Sequence, residues 1–248
     1  MKKVLKSILL VGFFIIGCSD DSDLNDVAKY TYLQQVGYSA NDILSNDFFN
    51  DIYFDVMYVD GFAPSDETLN NLKFFIEERT YKSNIIFEKR LINITLKSSY
   101  TLDEIKIIEE ENRNKFSGDN QIAISILFLN GTSSANLENS IILGKAYRNT
   151  SLVIFEESVH LFSDDHFEPS RSVLETKIIL HEFCHLLGLV NKGTSPVNIH
   201  IDSEHAGHCI IADCLMYYLV VNGSNMNTEQ IPQLDSFCVA DLKANGGK

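Results

Sequence analysis

Residues 181–191 read HEFCHLLGLVN. His181 and His185 stand four apart, close to one helical turn, so on a helix both rings project from one face. Such a pair supplies two imidazole nitrogens to a zinc ion at about 2.0–2.1 Å. Glu182 follows the first histidine. It can reach a water beside the metal without ligating the metal, which is the place of a general base. Zinc that activates water for hydrolysis takes three protein ligands and leaves one position open. Asn191 is a poor zinc ligand. The candidates for the third ligand are therefore His200, His205 and His208, further along the chain. Gly188 lets the backbone reverse at the helix end and bring one of them back.

These residues need a scaffold, and the sequence outlines one. The span 169–189 reads as a long helix, with Ser172 and Glu175 as a capping-box pair near its start. Before it, 51–61 alternates and is rich in β-formers, a strand closed by Gly61. Leu69, Leu72, Phe75 and Ile76 share one face of a helix introduced at Ser65. Residues 84–96 form a second strand region. An amphipathic helix over 101–116 starts with a Thr101–Glu104 capping box. Residues 121–131 are a buried strand, and 140–158 read as two more strands around a polar turn. The order β-α-β-α-β-β-β-α predicts an α+β fold, a mixed sheet with helices on it. After residue 190 the pattern is loop-like until a last helix, with Pro232 near its first turn and Gly246 past its end. Asp202 and Glu204 in that loop are either solvated charges or groups that orient a ligand ring.

The chain has 248 residues, 45% of them hydrophobic, enough for one sizeable core. The core lacks tryptophan and draws on 16 phenylalanines and 10 tyrosines. A formal charge of −14 and no basic patch argue against nucleic-acid binding. The N-terminus has a basic start, MKKVLKS, then a short apolar run ending in IIGC. That run is short for a membrane span and has the layout of a secretory signal. Removing it takes three lysines and no acid, so −14 becomes −17. Outside the cytosol, Cys209 and Cys214 are close enough in sequence to be candidates for a disulfide. Cys184 and Cys238 are then buried apolar residues or a second pair.

Three stretches carry resemblances. IIGC resembles a bacterial lipobox, which implies acylation of Cys18. The CSDDSD that follows resembles the surface-export signal of Bacteroidetes lipoproteins. HEFCHLLG resembles the opening of the metzincin signature HExxHxxGxxH, with Asn191 where the last histidine stands. HCIIADCLM, residues 208–216, resembles the HCx4CxM segment of archaemetzincins. In this chain the two pieces are separated by residues 189–207, 19 residues where the uninterrupted motif has two. Leishmanolysin-type metzincins are similar in carrying such an insert. HEFCHLLGLVN and DCLMY also resemble zinc-peptidase lipoproteins of Bacteroidetes.

The resemblance implies a zincin or metzincin-like fold: a twisted mixed sheet, an active-site helix and a small C-terminal subdomain with a methionine turn at Met216. It divides the chain into a signal peptide 1–17, a tether 18–48 and a catalytic domain 49–248, split into 49–188 and 189–248. It implies one catalytic zinc ion held by His181, His185 and a third histidine. His208 has the register for that place, with His205 and then His200 as alternatives. Glu182 would be the base. Tyr218 would stabilise an oxyanion or form the pocket wall. The strand pair in 143–155 would offer an edge to an extended peptide, or be a plain hairpin. Archaemetzincins also carry a later CxxC that helps to bind a second zinc. Cys238 is followed by Val-Ala-Asp, four thiolates are not available, and a Cys209–Cys214 disulfide is expected instead.

The function expected is a zinc-dependent metalloendopeptidase. It would be a monomer in the bacterial cell envelope, an outer-membrane lipoprotein with a surface-exposed position, acting on peptide or protein substrates. A surface adhesin that keeps zinc without turnover is the rival from another class. A gluzincin-like enzyme would need a downstream glutamate, for which only Glu229 offers itself.

Overall fold

The computed structural model describes residues 31–138, 140–218 and 229–248. The signal segment, Cys18 and the first part of the expected tether lie outside the described residues. The chain opens with a 3-10 turn at Thr31–Leu33, followed by helix α1 (Ala40–Leu44). Tyr32, Ile43 and Leu44 are buried, so the segment read as tether is already folded into the body from Tyr32 onward.

Strand β1 (Asp51–Tyr58), helix α2 (Asp66–Arg79), strands β2 (Asn84–Leu91) and β3 (Ser99–Tyr100), and helix α3 (Leu102–Asn112) come next. Strands β4 (Gln121–Leu129), β5 (Thr132–Ser133), β6 (Gly144–Arg148) and β7 (Ser151–Phe155) follow. Helices α4 (Glu156–Leu161), α5 (Arg171–Leu186) and α6 (Ser236–Ala244) complete the order. The main sheet runs β2-β1-β4-β7-β6. Its pairs are parallel except β6 with β7, so β6 is an antiparallel edge strand. This is the mixed sheet with helices that the sequence predicts. β3 and β5 form a separate two-stranded ladder.

Local chemistry sets three of the helix starts. Ser65 caps α2 by accepting the Thr68 amide at 3.0 Å. Thr101 and Glu104 form the expected capping box on α3. Ser172 and Glu175 do not form the second one. Both lie inside α5, and Glu175 turns into the core, where its Oε2 accepts the Ser65 amide and the Thr68 hydroxyl. Residues 156–158, expected in a strand, begin α4 instead. The last helix starts later than Pro232 suggests. Asp235 caps it, accepting the amides of Phe237 and Cys238.

The core lies between the sheet and helices α2 and α5. Phe54 of β1 stacks on Phe87 of β2 with centroids 4.6 Å apart and meets Phe183 of α5 at 5.9 Å. On the other face a charge network ties β6 down. Glu109 of α3 accepts from Arg113 and from Arg148, the last residue of β6, each at 2.8 Å. All three side chains are buried, and the Ser151 hydroxyl also donates to Glu109. A buried pair adds little net stability, but removing one partner leaves uncompensated charge. Glu109→Ala leaves the buried Arg113 without a carboxylate and Arg148 with only the half-exposed Glu110, and is expected to cost about 3–5 kcal/mol, read from urea unfolding midpoints.

Candidate metal centre

The C-terminal half of α5 carries His181, Glu182 and His185, all buried. The helix ends at Leu187, and Gly188 takes φ +81 to turn the chain. A Cβ there would lie 2.3 Å from Thr194 Oγ1 and 3.0 Å from Ala40, so the returning loop requires glycine on two counts. Val190 and Asn191 follow in left-handed backbone, φ +52 and +65. Asn191 is exposed there and takes no part in the site.

The chain returns through a short antiparallel pairing. His208 O accepts the Asp202 amide at 2.8 Å, and His200 O accepts the Ile210 amide at 3.0 Å. Strand pairing sends successive side chains to opposite faces. His208 therefore turns towards α5 while Cys209 turns away. One nitrogen each from His181, His185 and His208 lie within 4.8 Å of one another. The ring centroids are 5.0, 5.2 and 5.9 Å apart.

The other two candidate histidines are engaged elsewhere. His205 Nδ1 bonds Asp202 Oδ2 at 2.8 Å, and its ring stacks on Tyr218 with centroids 3.5 Å apart. Asp202 thus orients a histidine outside the group. His200 is buried, with Nε2 on Asp241 Oδ2 at 2.8 Å and Nδ1 facing Cys209. Glu229 caps the far end of α5, accepting the Ser170 amide at 2.9 Å, and does not approach the three histidines.

The donor set suits a metal. His181 Nδ1 donates to Leu215 O at 2.9 Å, and His208 Nδ1 donates to His205 O at 3.1 Å. In that tautomer Nε2 keeps its lone pair. His181 Nε2 is buried without a hydrogen-bond partner, as is Nδ1 of His185. Burial lowers the pKa of His181 to about 4 and, helped by His181, that of His208 to about 4. His185 is held well below the usual histidine range by burial and then by its two neighbours. All three are neutral at physiological pH, as ligands must be. Three neutral nitrogens beside an open cleft are what a four-coordinate zinc with a free position requires.

Glu182 lies against the edge strand. The Ala146 amide of β6 donates to Glu182 Oε2 at 2.7 Å. Burial raises the Glu182 pKa, and that amide bond opposes the rise. The contact needs β6 close to α5. A Cβ on Gly144 would fall 2.6 Å from Ile178 and 3.0 Å from Glu182 Cγ, so the strand approaches because it carries glycine there. The cleft is about 370 Å³ and is lined by these groups together with Lys145, Lys192 and Tyr218.

No family model matches the chain, and no curated protein matches it. Solved structures do. The chain resembles the archaemetzincin from Methanopyrus kandleri, with a TM-score of 0.51 over 80% of this chain and 96% of that one. Sequence identity is 15%, so the likeness is one of fold. The archaemetzincin from Archaeoglobus fulgidus, solved with malonate, gives a TM-score of 0.44 at 15% identity, over 77% of this chain and 99% of that one.

The fold is archaemetzincin-like. One expectation fails in this region. Cys209 and Cys214 are free thiols, as are Cys184 and Cys238. The expected 209–214 disulfide is not formed. Cys214 instead sits 3.7 Å from Cys238, which the sequence left as either a buried apolar residue or a partner of Cys184. Met216 is fully buried, and its carbonyl accepts the Cys209 amide at 2.8 Å.

The geometry separates His208 from His205 by experiment. His208→Ala should lower zinc occupancy at least tenfold at limiting metal, measured by elemental analysis after dialysis. His205→Ala and Asp202→Asn should leave it unchanged.

Proposed function

We propose that this protein is a zinc-dependent metalloendopeptidase. The observation that carries the reading is the convergence of His181, His185 and His208 beside the buried Glu182 at the floor of one cleft. Zinc, when bound by these histidines, supplies a Lewis acid that polarises a carbonyl and acidifies water. Glu182 Oε2 is held by the Ala146 amide, which leaves Oε1 to take the proton from water and hand it to the leaving nitrogen. The raised pKa of Glu182 suits that role, since it brings the carboxyl nearer to neutral pH. Edge strand β6 faces the cleft through Gly144, Lys145 and Ala146, and supports the docking of an extended peptide alongside it. Met216 serves as the methionine beneath the metal, packed and not ligating. Tyr218 lines the cleft within reach of an oxyanion once its stack on His205 opens. Cys18 is the lipidation site that holds the protein at the outer membrane, with the catalytic domain outside the cytoplasm.

Glu182→Gln tests the mechanism. It should reduce peptide hydrolysis by about 10²–10⁴-fold, the usual worth of a general base, with zinc content unchanged. Activity retained in this variant would remove Glu182 from the reaction. Zinc bound at full occupancy with no cleavage of a broad peptide library would favour the adhesin reading.

Charge supports a substrate preference. Lys145 and Lys192 line the cleft, and Glu182 is the one carboxylate among its described lining residues. A chain of charge −14 thus presents a cationic cleft. Peptides with Asp or Glu flanking the scissile bond should be cleaved with higher kcat/KM than amide counterparts. The advantage should shrink with added salt and with Lys145→Gln.

A further inference from the structure

Most described lysines and arginines of this acidic chain reach a carboxylate. Lys145 and Lys192, on opposite walls of the cleft, form no ion pair among the described residues. The two are placed differently. Lys145 lies on the regular strand β6. Lys192 follows an unusual stretch of backbone. Val190 takes φ +52, a left-handed conformation that a β-branched residue rarely adopts, and Asn191 follows at +65. Such backbone persists only where its surroundings fix it, and it gathers at ligand sites.

Here it sends the Lys192 side chain across Gly207. A Cβ on Gly207, which has φ +88, would lie 2.6 Å from Lys192 Cε, 3.1 Å from its Nζ and 3.8 Å from His185 Cε1. The ammonium and the His185 ring thus flank one glycine. They stand at most about 7 Å apart, about two residues of extended chain.

The cleft is closed at this place. Gln34 exchanges two hydrogen bonds with Asn149, the residue after β6. Its amide donates to Asn149 Oδ1 at 3.2 Å, and its carbonyl accepts the Asn149 amide at 3.1 Å. Asn149 Nδ2 also donates to Thr31 O at 3.0 Å and to Ser39 Oγ at 2.8 Å. Val36 lines the cleft. Gly37, at φ +81, then packs on the opposite wall, where a Cβ would fall 1.4 Å from Lys192 O. Residues 34–37 therefore run from the end of β6 to the loop of Lys192 and bridge the two walls. An extended peptide lying along β6 meets this bridge, and Lys192 stands beside it.

We propose that Lys192 is a specificity-determining residue that receives a carboxylate of the peptide at the closed end of the cleft, one or two residues from the scissile bond. The proposal rests on the hydrolytic reading of the same cleft and deepens it. A field from two lysines favours acidic peptides whatever the position of the acid. An anchored ammonium acts at one position, because a charge-assisted hydrogen bond forms only where the carboxylate reaches it. The carboxylate is supplied by an Asp or Glu side chain or by the C-terminus of the peptide, and the experiment separates these sources.

Short neutral peptides with amidated C-termini carry a single Glu moved position by position, with Gln at the same position as control. The Glu-to-Gln ratio of kcat/KM should peak at one position within two residues of the cleaved bond, at about tenfold. Lys192→Gln should bring that ratio close to one, and Lys192→Glu should favour Lys there. Lys145→Gln should lower the ratio at all positions alike. The Gln peptide with a free C-terminal carboxylate is the second arm. An advantage for this peptide that is lost in Lys192→Gln, with release of one or two C-terminal residues by mass spectrometry, assigns the anchor to the chain end. A ratio spread evenly over the positions, or a ratio that survives Lys192→Gln, overturns the proposal. Binding gives a readout without turnover. The same peptide pairs titrated calorimetrically into zinc-loaded Glu182→Gln protein should show the Lys192-dependent ratio in Kd. That ratio with no cleavage by the unsubstituted protein defeats the hydrolytic reading and leaves the anchor. Cleavage with no such ratio defeats the anchor alone.

Discussion

The arrangement depends on burying one carboxylate and two imidazoles in the last two turns of a single helix. Desolvation opposes charge on all of them, and the three histidines respond by staying neutral. Glu182 is held by one strong donor, the Ala146 amide, and that donor exists only because the edge strand comes close. Closeness follows from Gly144, whose missing side chain lets β6 lie on Ile178 and Glu182. The strand cannot drift, because Arg148 at its other end is bound to Glu109 in a buried charge network. One hydrogen bond at the cleft thus rests on a glycine and an ion pair at opposite ends of one short strand.

The third histidine is placed by a different device. Helix α5 can present only two imidazoles on one face at this depth. The third arrives on the short pairing of 200–202 with 208–210, whose alternation sends His208 one way and Cys209 the other. The same register turns His200 towards the sulfurs of Cys209 and Cys238. A one-residue slip would exchange the faces of His208 and Cys209 and take His208 away from His181 and His185.

What was legible in the sequence divides along the range of the interactions. His181, Glu182 and His185 on a helix could be read because a period of 3.6 is local. The mixed sheet followed from strand and helix order. The Thr101–Glu104 box formed because nothing competes for it at an exposed helix start. The Ser172–Glu175 box did not, because Glu175 finds Ser65 and Thr68 across the core, partners more than a hundred residues away. The disulfide failed for a similar reason. Two cysteines five residues apart invite pairing, but Cys238 and His200 come to them from α6 and the loop, and no spacing rule sees that. Tyr32, Ile43 and Leu44 sit in a polar stretch yet face inward. The coupling of Gly144 to Glu182 carried no motif at all.

The long connection between Gly188 and His208 raises the question of what keeps His208 in register with the helix pair. Lengthening a flexible connection from two residues to 19 costs about 2 kcal/mol of closure entropy, since the cost grows only with the logarithm of length. The loop offsets this locally. Gly188 starts the turn at low strain, Thr194 packs over it, and Asn245 of the C-terminal segment donates to the Thr194 hydroxyl at 2.8 Å. Asp241 then holds both Val197 and His200 from one turn of α6. By His200 the loop is fixed at two points, and only seven residues separate it from His208. The effective loop is therefore much shorter than the 19 residues between Gly188 and His208, which is how His208 can be held beside His181 and His185 as firmly as by a short connection.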